Sequence, residues 1–314
     1  MPPPPYLDAA AVRRLTPMPA LFRALREAFV DGIECPVRQH YELPGHGTLL
    51  LMPAWRGSRS TGVKVVTVYR EATPAVQAHY LLMDGRDGSP RATMDGAMLT
   101  VRRTAAASAL AAGMLARPDA RVLLMLGTGR LAPHLVEAHC AARPIERVLV
   151  WGRDMAKART LAERIEQTGV AASAVEDRIA ALASADIVSA ATLSTTPLVV
   201  GKALKAGTHL DLVGAYKPEM CEADADCYAR SRVFVDTREA ALAEAGDLLQ
   251  AIAAGAFAAS RIEGDLAALC KGTHPGRGDD HAAVTLFKSV GTAIEDLAAA
   301  EMVHDAWRQE QGNA

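Results

Sequence analysis

The chain is poor in aromatic residues, has no long basic run, and carries only a few scattered cysteines. Aromatic residues make up 4% of the chain, hydrophobic residues 50% and charged residues 22%, which is the composition of an alanine-rich globular protein. Lys and Arg number 34 against 36 Asp and Glu, for a formal net charge of -2. The chain therefore lacks the electrostatic footprint of a nucleic-acid or anionic-membrane surface, and small-molecule chemistry is the better expectation.

The five cysteines form no C-x-x-C pair and have no histidine nearby at metal-ligand spacing. A metal centre requires clustered ligands, so we expect reduced thiols and no metal site at Cys35, Cys140, Cys221, Cys227 and Cys270. No apolar run approaches the roughly 20 residues of a membrane span, and the proline-rich N-terminus does not resemble a secretory signal. The chain is therefore predicted to be cytoplasmic.

The length of 314 residues predicts two domains, because a single hydrophobic core rarely grows beyond roughly 250 residues. Residues 38–93 contain short β-type runs separated by Pro-Gly and Asp-Gly pairs, which predicts a mostly β segment. A long alanine-rich helix is expected over residues 95–116, and Pro118 ends it. We place the domain boundary there, with residues 1–117 in the first domain and 118–291 in the second.

Beyond the boundary, short apolar runs alternate with helix-length segments. Residues 121–126 and 147–151 are almost continuously apolar, as expected of parallel strands buried on both faces, and residues 131–142 can form a helix between them. Further strand candidates are residues 170–175, 186–191, 209–213 and 232–235. The second domain is therefore predicted to be a doubly wound α/β domain.

The last part of the chain, residues 284–309, carries side chains at helical spacing, namely Leu286, Val290, Ile294, Leu297 and Glu301. This spacing predicts one continuous helix. We expect the helix to return to the first domain, which then comprises residues 1–117 and 292–314.

A glycine-rich turn follows the first predicted strand of the second domain and precedes a predicted helix. Its sequence, Gly127-Thr128-Gly129-Arg130-Leu131-Ala132, fits the G-x-G-x-x-A pattern of dinucleotide-binding folds. The first glycine permits the tight bend, the second lets the backbone approach a pyrophosphate, and the small third residue lets the helix pack closely. We predict that residues 127–131 bind a dinucleotide; a tight turn that has lost its ligand is the alternative.

The second strand of that domain ends in Gly152-Arg153-Asp154, with no carboxylate where NAD-binding folds hold the ribose hydroxyl groups. Arg153 occupies that position instead. A guanidinium suits a 2′-phosphate, so this segment, predicted to contact the cofactor, favours NADP(H) over NAD(H). The alternative is that Arg153 is merely exposed and Asp154 caps the next helix, which leaves the choice of cofactor open.

Several segments occur in the same order as in a known family. They are the β-rich segment, a helix with Arg103-Thr104-Ala105-Ala106-Ala107-Ser108, the turn at Gly127, and Leu286-Phe287-Lys288-Ser289-Val290-Gly291. Together they resemble the ornithine cyclodeaminase and mu-crystallin family over essentially the whole chain. The resemblance implies an NAD(P)-dependent homodimer. Its implied fold is α/β, with a Rossmann-type doubly wound sheet and an α+β dimerisation and substrate domain that the C-terminal helix completes.

The resemblance also implies roles for charged residues of the first domain. Arg38 and Lys64 would hold the substrate carboxylate, which is chemically sensible because a guanidinium fork and a point cation can fix a carboxylate together. Without the resemblance, both would be interpreted as ordinary surface charges. Arg103, with Thr104 beside it, would reach both the substrate carboxylate and the cofactor phosphates. A salt bridge on the helix surface is the alternative for Arg103.

Further cofactor contacts are implied by the resemblance at Thr192, Val213, Gly214 and Ser289. For Thr192 and Ser289 the alternative is capping or turn chemistry, which hydroxyl side chains often provide.

The chain departs from the family where its cyclodeaminases carry catalytic carboxylates. They place an aspartate two residues beyond a Val-Gly pair, whereas this chain reads Val213-Gly214-Ala215-Tyr216. Tyrosine, with an unperturbed pKa of about 10, is a weak base at neutral pH. A glutamate expected just before Leu-Met-Pro is also missing from Leu49-Leu50-Leu51-Met52-Pro53. We therefore do not expect true cyclodeamination.

The remaining chemistry is hydride transfer between nicotinamide and the carbon of an imine that bears a carboxylate. Reduction of a cyclic ketimine acid to a cyclic amino acid fits, as does alanine-dehydrogenase-like reductive amination. Tyr216 and Lys64 are the candidate catalytic residues, with water as another proton donor. Possible substitutes for the missing acid, each more readily explained as structural, are Asp211, Glu219 and His79. The alternatives are ornithine cyclodeaminase, which converts L-ornithine to L-proline and ammonia, and a protein that binds NADP and a small ligand without turnover.

Overall fold

The structure, a computed structural model, describes residues 3–69 and 71–312. The chain divides into two compact units, of which the first comprises Met1–Ala106 with Gly291–Ala314 and the second Ala107–Val290. The division falls after Ala106, whereas the boundary predicted from the sequence is at Pro118. Among the described residues, no helix has both the length and the apolar character needed to cross a lipid bilayer.

The elements follow one another along the chain in this order. The first unit opens with β1 (Tyr6–Leu7), α1 (Ala9–Arg14), α2 (Met18–Asp31), β2 (Gln39–Leu43), β3 (Gly47–Arg56), β4 (Ser60–Val68), β5 (Val76–Asp84), β6 (Pro90–Asp95) and the first half of α3 (Gly96–Leu115). The second unit contains β7 (Val122–Leu126), α4 (Ala132–Ala142), β8 (Arg147–Trp151), α5 (Met155–Glu166), β9 (Ala171–Ala174), α6 (Arg178–Ser184), β10 (Ile187–Ala190), β11 (His209–Leu212), α7 (Ala225–Arg230), β12 (Ser231–Val235), α8 (Arg238–Glu244), α9 (Gly246–Ala253), β13 (Ile262–Asp265), α10 (Leu266–Lys271) and β14 (Val284–Lys288). Helix α11 (Ala293–Gly312) belongs to the first unit.

The first unit is built on a sheet with the order β1-β6-β5-β4-β3-β2. Strands β1 and β6 are parallel and the other neighbours are antiparallel. Helix α11 packs on β3, β4 and β5. Because side chains alternate between the faces of a strand, Lys64 points to the buried face together with its register partners Met52 and Tyr80, while the next residue, Val65, is exposed. The alternation along β4 therefore places the cationic side chain of Lys64 on the buried face of the sheet.

The second unit is a parallel sheet with the order β13-β12-β14-β11-β10-β7-β8-β9. Strands β7, β10, β11 and β14 are largely apolar and buried, as parallel strands covered on both faces should be. The strand order reverses direction between β7 and β10, and ligands bind at the carboxyl ends of the strands at such a point. The predicted Rossmann-type α/β fold is confirmed.

The prediction of one continuous helix over residues 284–309 is wrong. Residues Val284–Lys288 form β14, which pairs with β11 on one side and β12 on the other. Every position of a fully buried strand favours an apolar side chain, so the run also matched a helical spacing by coincidence. Gly291 then adopts a φ of +83°, which a helix interior does not allow. The helix begins only at Ala293.

Candidate functional site

A cavity of about 460 Å³ opens at the carboxyl ends of the central strands of the second unit. This is the edge of the sheet at which doubly wound folds bind their ligands. Most residues predicted to contact the cofactor line it, namely Gly127, Thr128, Gly129, Arg130, Leu131, Gly152, Arg153, Asp154, Thr192, Val213 and Gly214, and so does Tyr216. The cavity also has lining residues that the sequence did not indicate, namely Trp151, Lys157, Ala191, Leu193, Ser194 and Leu198.

The two glycines of the turn have different steric surroundings. Gly127 has a φ of +117°, and a Cβ atom there would lie 2.6 Å from the carbonyl oxygen of Ala191. At Gly129, a Cβ atom would meet no atom of the described residues within 4 Å. The first glycine is therefore required by the fold, whereas the second leaves open space in front of helix α4. That space suits a pyrophosphate at a helix N-terminus, so the residues present fit a dinucleotide.

The end of β8 presents cations to the same cavity. Arg153 is exposed and lines the cavity, and so does Lys157, which lies in the first turn of α5. Asp154 caps α5 by accepting hydrogen bonds from the amides of Ala156 (3.0 Å) and Lys157 (3.2 Å). The capping role considered for Asp154 is thus present. Arg153 precedes this cap, so no helical spacing connects it to Lys157 in the sequence.

A buried network of charged residues lies behind the cavity wall. The backbone amide and the hydroxyl of Thr192 donate to one carboxyl oxygen of Glu222, at 2.6 and 2.8 Å. Glu222 is fully buried, and that burial raises its pKa to about 7. The ammonium of Lys288 donates to the carbonyl of Gly214 at 2.5 Å and lies 3.5 Å from Asp247. Side chains of the network therefore hold two segments of the cavity wall in place.

Tyr216 lies at the rim of the cavity with 39% of its surface exposed. It follows Ala215, which has a φ of +46°, a strained conformation for a residue with a side chain. The substitutes proposed for the missing acid do not line the cavity. Asp211 is buried and accepts from Ser189 at 2.7 Å, and Glu219 and His79 are exposed. Its burial and this hydrogen bond support a structural role for Asp211.

A second candidate site lies in the first unit, where three cations and two carboxylates meet. Lys64 Nζ lies 2.9 and 2.7 Å from the two carboxyl oxygens of Asp296. Arg103 donates from Nε to Asp296 at 2.8 Å and from Nη1 to Glu295 at 2.5 Å. These four side chains are at most 4% exposed. With Arg38 they form what we call the charged cluster.

Gly291 brings Arg38 to the charged cluster. Its carbonyl oxygen accepts from Arg38 Nη2 at 2.7 Å. A Cβ atom at Gly291 would lie 2.5 Å from Arg103 Nη1, so glycine lets the guanidinium of Arg103 approach the backbone. The structure thus brings together the three cations for which the family resemblance implies carboxylate binding. Arg103 forms a buried ion pair rather than the surface salt bridge considered as its alternative.

The electrostatics of the charged cluster follow from burial and opposite charge. Burial lowers the pKa of Lys64 to about 7, repulsion by Arg103 adds to this effect, and Asp296 opposes it. Burial acts against the ionised form of Asp296, but Arg103 and Lys64 outweigh it and lower the pKa of that carboxyl. Lys64 is therefore a cation that titrates near neutral pH.

The remaining predicted cofactor contacts, Thr104 and Ser289, are not among the residues that line the cavity. Thr104 is half-buried on α3 in the first unit, and Ser289 is buried at the end of β14, where its amide donates to the carbonyl of Leu212 at 3.1 Å. The sequence did not indicate Glu295 and Asp296. The sequence signal for them is a pair of adjacent acids in the first turn of α11, which the apolar run before that turn obscures.

Comparisons with known proteins agree with one another. A sequence model with the description "Ornithine cyclodeaminase/mu-crystallin family" matches residues 7–311. The Δ(1)-pyrroline-2-carboxylate reductase of Paracoccus denitrificans (strain Pd 1222) is 39% identical over 286 residues, which are 88% of this chain and 90% of that protein.

Solved structures are similar over nearly the full length of the chain. The Δ(1)-pyrroline-2-carboxylate reductase of Thermococcus litoralis, in complex with NADH and L-proline, has a TM-score of 0.92 at 31% identity and covers 98% of each chain. An archaeal alanine dehydrogenase dimer with bound NAD has a TM-score of 0.91 at 27% identity, covering 98% of this chain and 97% of that one.

Proposed function

Since the chain belongs to the ornithine cyclodeaminase/mu-crystallin family, we propose that it reduces a small cyclic imine acid with NADPH, Δ(1)-pyrroline-2-carboxylate being the first substrate to test. The family resemblance and the class of enzyme predicted from the sequence, an NAD(P)-dependent oxidoreductase acting on an imine or amino acid, are confirmed. The observation that carries the finer proposal is the charged cluster, because a buried group of cations suits a carboxylate.

The turn at Gly127–Leu131 and the N-terminus of α4 are the part of the chain suited to hold the cofactor pyrophosphate. Arg153, Lys157 and Arg130 line the same cavity and supply cations for a 2′-phosphate. This arrangement supports NADPH over NADH. When bound, the dinucleotide supplies the hydride that the imine carbon receives.

Arg38, Lys64 and Arg103 bind the substrate carboxylate in this proposal. The Lys64 ammonium also suits the delivery of a proton to the imine nitrogen, because its lowered pKa of about 7 makes the proton exchangeable near neutral pH. Tyr216, on the cavity rim, is the other candidate proton donor. The net change is one hydride and one proton added across the C=N bond, which yields a cyclic amino acid.

The outer face of the first unit's sheet supports a homodimer. Val65 and Trp55 are 37% and 36% exposed, and further apolar side chains that are only half-buried share this face, namely Leu49, Leu51, Pro53, Val63, Leu81 and Met83. A contiguous exposed apolar face of this kind is typical of an interface, and a second copy of the chain is the occupant we propose. We also propose a cytoplasmic location, where reduced thiols are stable.

One assay panel tests the function. Purified protein is offered NADPH with Δ(1)-pyrroline-2-carboxylate or Δ(1)-piperideine-2-carboxylate and, separately, L-ornithine with catalytic NAD⁺, while cofactor oxidation and L-proline are followed. We expect NADPH oxidation with both imines, and formation of L-proline from Δ(1)-pyrroline-2-carboxylate. Formation of L-proline from ornithine would favour cyclodeamination instead. Saturable cofactor binding with no turnover would favour a binding protein. Tyr216 supports that alternative because it replaces a catalytic aspartate.

A further inference from the structure

We propose that Glu295 and Asp296 set the net charge of the charged cluster and thereby restrict the site to imine acids with a single carboxylate. This specificity role rests on the proposed function, since it assumes that Arg38, Lys64 and Arg103 receive the substrate carboxylate. The proposal adds two residues of α11 to that site. They select between substrates and take no part in the reaction itself.

Glu295 and Asp296 occupy hydrogen-bond donor positions of Arg103 and Lys64 that a substrate carboxylate could otherwise use. Glu295 accepts from Nη1 of Arg103, and Asp296 accepts from Nε of the same guanidinium. Asp296 also contacts Lys64 with both carboxyl oxygens, at 2.9 and 2.7 Å. Two donor positions of Arg103 and one side of the Lys64 ammonium are therefore already committed to carboxylates of the protein.

The formal charges of the cluster match one carboxylate. With Lys64 protonated, the three cations and the two acids of the cluster sum to a single positive charge, which one substrate carboxylate neutralises. A second carboxylate would bring an uncompensated negative charge next to two buried acids. Like charges are poorly screened in a buried site, so such a ligand is rejected.

A purely structural role for the two acids predicts a different result. If Glu295 and Asp296 only tether α11 to α3 and β4, their removal lowers stability and affects every substrate equally. If they set the charge, their removal changes the preference between substrates that differ by one carboxylate. The ratio of specificity constants therefore separates the two roles.

The test compares Δ(1)-piperideine-2-carboxylate with Δ(1)-piperideine-2,6-dicarboxylate, which differ only by the second carboxylate. We expect Glu295→Gln and Asp296→Asn to raise the ratio of kcat/KM for the dicarboxylate over the monocarboxylate by roughly tenfold, since each removes one repelling charge. Glu301→Gln is the matched control. Glu301 is a buried acid of the same helix, but it contacts Arg56 at 3.1 Å and Ser60, outside the charged cluster, so its ratio stays that of the unsubstituted chain.

The same preference is measured in binding without turnover, from the dissociation constants of L-pipecolate and piperidine-2,6-dicarboxylate. Weaker binding of the dicarboxylate, relieved in Glu295→Gln, supports the inference even if no imine is reduced, in which case only the proposed function fails. Equal use or binding of both ligands by the unsubstituted chain would overturn the inference. Ratios that stay unchanged in both variants would also overturn it. So would a failure of both L-pipecolate and piperidine-2,6-dicarboxylate to bind.

Discussion

The cavity of the second unit and the charged cluster of the first are built in opposite ways. The cavity is formed by chain segments that follow parallel strands, and its central feature is backbone at Gly127 and Gly129. The charged cluster is formed by side chains that lie far apart in sequence, from Arg38 to Asp296. A backbone cradle is sensitive to added atoms, whereas a cluster of buried ions is sensitive to changed charge.

The glycine turn and the charged cluster also contribute to binding through different interactions. The glycine turn contributes shape and amide groups, which any dinucleotide can use. The charged cluster contributes paired ions, and the loss of one partner leaves the other charge buried and uncompensated, which is costly. Substitutions in the two regions should therefore differ in kind: shape changes act on cofactor affinity, and charge changes act on substrate affinity and on its pH dependence.

The largest effect is expected at Gly127. Gly127→Ala places a Cβ atom against the Ala191 carbonyl at a φ of +117°, so the melting temperature falls and the dissociation constant of NADPH rises by about a hundredfold. Gly129→Ala is the matched variant, because its Cβ meets open space. It should keep the melting temperature but weaken NADPH binding by about tenfold. Unchanged NADPH binding in Gly129→Ala would show that the pyrophosphate lies elsewhere.

A smaller but more selective effect is expected at Lys64. Lys64→Met removes a carboxylate-binding cation, so KM for the imine acid rises by about thirtyfold while the dissociation constant of NADPH is unchanged. Arg56→Met is the control, since Arg56 also contacts an acid of α11, Glu301, but lies outside the charged cluster. Equal KM values for the two variants would remove Lys64 from the substrate site.

The pH dependence of KM tests the same residue without removing it. The pKa of Lys64 is lowered to about 7, so the side chain is a cation below that pH and becomes neutral above it. KM for the imine acid should therefore rise by about tenfold between pH 6.5 and 8.5. Lys64→Arg, whose guanidinium does not titrate in this range, should give a flat profile. A rise that persists in Lys64→Arg would assign the titration to another group, such as Glu222, whose pKa is raised to about 7.

The smallest effect is expected at Arg153, the cation proposed to contact the 2′-phosphate of NADPH. Arg153→Ser should raise the dissociation constant of NADPH by about fivefold and leave that of NADH unchanged, because only NADPH carries the 2′-phosphate. Arg159→Ser removes an exposed cation of α5, the helix that follows Arg153, and this cation does not line the cavity. It should change neither constant. A clear preference of the unsubstituted chain for NADH would contradict the proposed cofactor.

The lining of the cavity in the second unit could be anticipated from the sequence because local patterns build it. The turn at Gly127 and the segments ending at Arg153 and Thr192 each follow an apolar strand, and parallel strands carry such ends to one edge. The charged cluster could be anticipated only in part. Family resemblance suggested Arg38, Lys64 and Arg103, but no local pattern links them to Glu295 and Asp296, whose role depends on how α11 packs on the sheet.

Strand β14 also lacks a local sequence signal of its own. A strand buried on both faces lacks the alternation that identifies half-buried strands, so the run from Val284 to Phe287 fitted a helix as well. Only pairing with β11 and β12 distinguishes the two. The same ambiguity hides the start of α11, and with it the two acids that occupy its first turn.

Hydride transfer from the cofactor to the carbon of an imine acid can be followed with an isotope label. The protein is supplied with NADPH that carries two deuterium atoms at nicotinamide C4, together with Δ(1)-pyrroline-2-carboxylate, and the product is analysed by mass spectrometry and NMR. Hydride transfer predicts proline with one deuterium at Cα. Proline without deuterium at Cα, or no product while NADPH binds saturably, would contradict it.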